Sequence, residues 1–178
     1  TACPVGTYKA AAGNGDVSKC ANCPKDASTA NAGSTSRSAC YCKADFYGDA
    51  TAERGSCTAC GEKSSTNGNT GVTSASGCTC AAGYYYASDS SGAACTACPV
   101  GTYKAAAGNG AVSACLKCSN GGDTNGNTGV TLASGCRCAA GYYSTNGTDG
   151  SECTACPVGT YKAAAGNGDV SKCANCPK

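Results

Sequence analysis

The chain has 178 residues, with 19 Cys and 26 Gly but only eight Val, two Leu, one Phe and no Ile or Trp. That aliphatic content is far below what a folded chain ordinarily buries, whereas cysteine at this density marks a disulfide scaffold whose crosslinks replace a core in an oxidising, extracellular or cell-surface compartment. Net charge is +2, the charged residues are scattered singly and His is absent, which excludes a basic nucleic-acid footprint and any Ser–His or Cys–His nucleophile.

Residues 1–25 read TACPVGTYKAAAGNGDVSKCANCPK, and the same residues return without a change at 154–178. The chain therefore reads as a window on a tandem array, one period of residues 1–153 followed by the start of the next. Thr-Ala-Cys follows a cysteine at Cys95 and Cys153, so the partner missing from Cys3 is expected one residue before Thr1. As expected of an internal window, there is no initiator Met, signal peptide or bilayer-length apolar run.

The opening segment is expected to run as a strand through residues 5–11, turn at Gly13-Asn14-Gly15 and return through residues 17–20. Cys3 and Cys20 then close the hairpin ends. The three alanines from Ala10 to Ala12 also suit one helical turn, but they run directly into Gly13, and strand or coil is favoured.

From Cys20 onward the cysteines come in tight pairs: Cys20/Cys23, Cys40/Cys42, Cys57/Cys60, Cys78/Cys80, Cys95/Cys98, Cys115/Cys118, Cys136/Cys138, Cys153/Cys156 and Cys173/Cys176. A short unit containing C-P-V-G-T-Y-K-A-A-A-G-N-G lies at 1–19 and 95–114 and opens the next period at 153–178. A long unit, with a C-x2-C pair and then a C-x-C pair, lies at 20–56, 57–94 and 115–152. Self-similarity of this kind signals a quasi-one-dimensional array. The expected fold is small disulfide-rich repeats, mostly irregular with short β-hairpins, stacked into an extended rod. Asn-Gly follows at Asn14, Asn67, Asn109, Asn120, Asn125, Asn146 and Asn167, each a type I′ turn signal.

Pairing is not fixed by the sequence. The local solution joins Cys3 to Cys20, Cys23 to Cys40, Cys42 to Cys57, Cys60 to Cys78, Cys80 to Cys95, Cys98 to Cys115, Cys118 to Cys136, Cys138 to Cys153 and Cys156 to Cys173. It leaves Cys176 for a partner beyond Lys178. Its rival crosses bonds inside each long unit, for example Cys20 with Cys40 and Cys23 with Cys42.

Cys136-Arg-Cys138-Ala-Ala-Gly141-Tyr142 and Cys78-Thr-Cys80-Ala-Ala-Gly83-Tyr84 resemble the C-terminal half of an EGF-like module. At Cys40-Tyr-Cys42-Lys-Ala-Asp45-Phe46, Asp replaces the glycine and also tolerates a left-handed backbone. The final spacing is longer than that family's, and the N-terminal half does not match. Cys98-Pro99-Val100-Gly101-Thr102-Tyr103, with its copies opening at Cys3 and Cys156, resembles the start of cysteine-rich repeats in tumour-necrosis-factor-class receptors and protist surface proteins. As a whole the pattern is similar to the immobilisation antigens of ciliates. That resemblance implies an extracellular coat protein with a C-terminal lipid anchor, which would lie outside these residues.

Cys20/Cys23 with Cys40/Cys42 has zinc-ribbon spacing, but the pairs never group into fours and no His is present; disulfides are favoured and no metal or cofactor is expected. A redox C-x2-C needs a thioredoxin-like βαβ setting, which is missing. The tyrosines at 84–86 and 142–143 suit a ligand platform, yet in so lean a chain they are the main apolar mass. One ring of each cluster is expected on a disulfide and the next in solvent. Residues 146–149 lack calcium-loop spacing. Asn146-Gly147-Thr148 is a glycosylation sequon.

No enzyme is expected. The favoured reading is a non-catalytic, glycosylated rod that self-associates into a surface coat or extracellular fibre. The alternative is a receptor-like or adhesive ectodomain.

Overall fold

A computed structural model describes residues 1–11, 13, 15–89, 92–146 and 152–177, with the side chains of 88, 89, 92 and 93 set aside. They form two compact units, Thr1–Thr79 and Cys80–Lys178. Among the described residues there are nine two-stranded sheets, six 3-10 turns and no α-helix.

Nine disulfides join Cys3–Cys20, Cys23–Cys40, Cys42–Cys57, Cys60–Cys78, Cys80–Cys95, Cys98–Cys115, Cys118–Cys136, Cys138–Cys153 and Cys156–Cys173. Each runs from the second cysteine of one pair to the first of the next and closes one module of 15 to 18 residues. Closing a loop of that length removes about 3 kcal/mol of unfolded-state entropy in the chain-entropy model.

Every module starts alike. After its first cysteine the chain makes a β-turn, as where the Thr7 N–H donates to the Pro4 carbonyl at 3.1 Å. The third turn residue is left-handed, with Gly6 at φ +85°. That conformation defines a type II turn and favours glycine. Asp26, Asp45 and Lys63 hold the same position at φ +61°, +67° and +57°; Asp tolerates it through its short polar side chain.

Two-residue strands follow the turns. Thr7–Tyr8 pairs with Ala21–Asn22, Thr7 opposite Asn22 and Tyr8 opposite Ala21. The expected return through residues 17–20 is thus displaced beyond the closing cysteine. Its cause is local: Asp16 accepts the Ser18 N–H at 2.9 Å and caps a 3-10 turn at Val17–Lys19. The same device, with Ser36 as cap, precedes Cys40. At a C-x-C pair the return strand includes the second cysteine, so Ala27 lies opposite Cys42. Two longer ribbons carry the tyrosine clusters. Tyr84–Asp89 pairs with Gly92–Ala97, and Tyr142–Ser144 with Cys153–Ala155.

Asn67-Gly68 and Asn125-Gly126 have both φ angles positive, and the Asn69 and Asn127 N–H groups close them onto the Thr66 and Thr124 carbonyls at 3.0 Å. Asn109-Gly110 and Asn167-Gly168 have no positive φ and do not follow that expectation. Asn120 instead precedes left-handed Gly121 in a post-cysteine turn. Asn14 and Gly147 lie outside the described residues.

The interior is sulfur and small side chains. Cys40, Cys42, Cys80, Cys98, Cys136 and Cys138 are buried, together with Ala27, Ala50, Thr29, Thr66 and Thr124. In the first unit Tyr8 and Phe46 pack against Ala27, Cys40, Cys42 and Ala50. The aliphatic side chains are largely outside: Val5, Val17, Val100, Val112, Leu116, Leu132, Val158 and Val170 are all exposed.

Candidate functional site

What the modules position with most regularity is the junction between one module and the next. Three backbone groups on the leading module take part: the N–H of its left-handed turn residue, the carbonyl of its first cysteine, and the N–H six residues past that cysteine.

Where the Cys3–Cys20 module meets Cys23–Cys40, the Gly33 N–H donates to the Cys3 carbonyl at 2.7 Å and the Lys9 N–H to Ser34 at 3.1 Å. The Gly6 N–H donates to Thr29 Oγ1 at 3.0 Å. That hydroxyl, 1% exposed, donates onward to the Asn31 carbonyl at 3.0 Å. The set recurs at the next Thr junction, with Gly71 to Cys42, Gly48 to Val72 and Asp45 to Thr66 Oγ1. It recurs again with Gly129 to Cys98, Lys104 to Val130 and Gly101 to Thr124 Oγ1. Each buried threonine has both its donor and its acceptor occupied, the condition under which a hydroxyl is buried without penalty.

Two further junctions use lysine and asparagine. The Gly83 N–H donates to the Lys104 carbonyl, Gly108 to Cys80 and Tyr86 to Gly110, each at 2.8 Å. Asn109 Oδ1 accepts the Cys80 N–H at 2.9 Å. Gly141 to Lys162, Gly166 to Cys138, Ser144 to Gly168 and Cys138 to Asn167 Oδ1 repeat the pattern. The lysine heads turn inward. Lys162 Nζ reaches the Gly166, Tyr142 and Cys138 carbonyls at 2.6, 2.8 and 3.4 Å, and Lys104 Nζ reaches Ala106 at 2.7 Å. Burial lowers the pKa of both ammonium groups below the ordinary lysine value, because low-polarity surroundings penalise charge.

The sequence reading missed the buried threonines. Their signal was present, since Thr29, Thr66 and Thr124 each stand six residues after Cys23, Cys60 and Cys118.

The cysteines of the zinc-ribbon spacing are consumed in disulfides, and no cluster of three or more metal-ligating side chains occurs among the described residues. Cys176 is exposed with a free thiol. Tyr84, Tyr85 and Tyr143 are half-buried, while Tyr86 and Tyr142 are exposed. The Tyr142 ring lies over Gly121, where an added Cβ would come within 2.2 Å of Cδ1. Asn146 is exposed, but Gly147, Thr148 and Asp149, and with them the rest of the sequon and the 146–149 segment, lie outside the described residues. The carboxylates of Asp16, Asp49 and Asp169 accept hydroxyl and backbone N–H bonds from Ser18, Thr51 and Ser171. Those bonds hold each below the ordinary aspartate pKa. Asp16 and Asp169 thereby cap the 3-10 turns at Val17–Lys19 and Val170–Lys172.

A family model described as tyrosine-protein kinase ephrin type A/B receptor-like matches residues 1–40, 83–136 and 141–178. All three stretches carry the Pro-Val-Gly-Thr-Tyr turn, which the unmatched residues 41–82 lack. No curated protein matches the chain.

Proposed function

The chain belongs to the ephrin type A/B receptor-like family of cysteine-rich repeats, and from that premise we propose that it is a non-catalytic structural protein of an extracellular coat or fibre. Disulfide density and the receptor-ectodomain character of the family put it in an oxidising, extracellular setting. No helix among the described residues is long and apolar enough to cross a membrane. The observation that carries the reading is repetition: the same three backbone groups of the leading module make the junction again and again, and residues 1–25 and 154–178 are identical. Identical faces at a constant interval favour ordered self-association. The similarity to ciliate surface antigens supports a coat, and a glycan on Asn146 fits that exposed setting.

Negative-stain electron microscopy of the native material tests this. Filaments or a regular surface lattice are expected; isolated, non-associating particles would overturn it. A second reading, a ligand-binding ectodomain, draws on the exposed Tyr86 and Tyr142. Loss of a specific ligand on changing both tyrosines to serine, with assembly intact, would favour it.

A further inference from the structure

Between Cys3 and Cys173 the disulfides provide a covalent path that enters no module loop, because every bond joins the second cysteine of one pair to the first of the next. The path crosses each bridge over 5.4 to 5.8 Å between Cα atoms. It then follows only the short link inside a cysteine pair, such as Ala21-Asn22 or Tyr41. Tension along the chain passes through this path, since a loop in parallel with a far shorter bridge stays slack.

The links themselves have little length left to give. Each of them lies in a strand, as at Ala21–Asn22 and Tyr41–Cys42 in the first unit and Leu116–Lys117 and Arg137–Cys138 in the second. A strand already rises about 3.3 Å per residue, close to the limit of about 3.3–3.6 Å for a fully drawn chain. Breaking a junction or a strand pair therefore adds almost no length. The module loops hold far more. With sequence separations of 15 to 18, each loop would add about 45–60 Å once its bridge opened, by the same reach per residue.

The bridges are also unequally accessible. Thiolate attack needs a path to one of the two sulfurs. Most bridges have one half-buried cysteine, such as Cys23, Cys57, Cys95 or Cys118. At Cys98–Cys115 both cysteines are buried, 0% and 7% exposed. That module is shared by two of the junctions described above, with the Gly83 N–H on its Lys104 carbonyl and its own Gly101 N–H on Thr124 Oγ1.

We propose that the chain is a length-locked tether, which keeps its length under load while oxidised and which a dithiol reductant lengthens module by module, Cys98–Cys115 last. In each step a reductant thiolate attacks one sulfur, and the other leaves as a thiolate and takes up a proton. The second thiol of the reductant then resolves the mixed disulfide. Two cysteine thiols and one cyclic, oxidised reductant result. The use of such a tether in a coat or fibre rests on the structural reading above, but the lock is a property of a single chain.

The test pulls single whole chains by peptide tags at their two ends, with the free thiol of Cys176 alkylated to prevent exchange. The oxidised wild-type chain is expected to show no extension step of about 45–60 Å before the tags release. Held at constant force, it is expected to lengthen in steps of that size, one per disulfide, when dithiothreitol is added. The double variant Cys98→Ala with Cys115→Ala is expected to reach one such increment further without reductant, whether or not its freed module folds. Without force, partial reduction followed by alkylation and peptide mapping reads the order, and Cys98 and Cys115 are expected to be labelled last. Steps of about 45–60 Å in the oxidised wild-type chain, or a variant no longer than wild type, overturn the lock. Early labelling of Cys98 or Cys115 overturns the order of release. Either failure leaves a coat or fibre standing, whereas native material that does not associate removes the coat or fibre and leaves the tether.

Discussion

The threonine junctions and the lysine–asparagine junctions solve one problem by different chemistry. At Gly6, Asp45 and Gly101 the turn N–H is met by a side-chain hydroxyl; at Gly83 and Gly141 it is met by the backbone carbonyl of a lysine. In the first case everything rests on one small buried atom. In the second, the backbone makes the bond, and the lysine head lies across neighbouring carbonyls as an additional tie. The geometry of the junction is therefore set by backbone groups, and the side chains decide how sensitive each copy is to substitution.

The largest effect is expected from removing the support that both kinds of junction share. The double substitution Cys98→Ala with Cys115→Ala deletes the disulfide of the module that sits between a lysine and a threonine junction. A loss of about 2–5 kcal/mol is expected, read from denaturant midpoints. Amide exchange should speed up at both Gly83 and Gly101; protection that survives at both would show that the junctions stand without it.

Thr124→Val sharpens the comparison next. It keeps the shape, removes the hydroxyl and leaves the Gly101 N–H buried without an acceptor, at a cost of about 1–3 kcal/mol. Exchange at Gly101 should accelerate while Gly83, held by a backbone carbonyl, stays protected. Equal acceleration at both would merge the two classes. Lys162→Met should cost less, about 1 kcal/mol, because the stem still packs and the Gly141 bond to the backbone remains. Lys104→Met should cost less again, since its head meets one carbonyl where Lys162 meets three. A larger loss at residue 104 than at 162 would break that ordering.

The smallest effect concerns acid. The capping bonds from Ser18 and Ser171 hold the Asp16 and Asp169 carboxylates below their unfolded value. Their contribution is then present above about pH 3.9 and fades as pH falls through the lower native value. The Ser18 and Ser171 amides should lose protection on acidification before the junction amides do. Ser36, which caps its 3-10 turn with a hydroxyl, should show no such dependence at Ser38.

Much of the local structure was legible because it depends on neighbours in sequence. The absence of aliphatic mass required a sulfur-rich interior, and the exposed Val5, Val100 and Val158 show how little the aliphatic residues contribute to it. Asp45 was legible as a left-handed residue from its place in a Gly-type motif, and it stands at φ +67°. The strand partner of Thr7–Tyr8 was misplaced because a single carboxylate, Asp16, turned residues 17–19 into a 3-10 cap. Asn109 and Asn167 looked like turn formers, yet they use their side chains on cysteine N–H groups 29 residues away. No short-range pattern distinguishes those roles.

The sequence by itself determined the disulfide-rich class, the spacing of modules and the repeat, because these depend on composition, on loop length and on counting along the chain. It left two cysteine pairings open. Only the tertiary structure decided between joining Cys23 to Cys40 and crossing the pairs, and only it selected Thr29, Thr66 and Thr124 for burial. A hydroxyl becomes worth burying only when a donor from one module and an acceptor from another arrive at the same point, and that coincidence is a property of folded geometry.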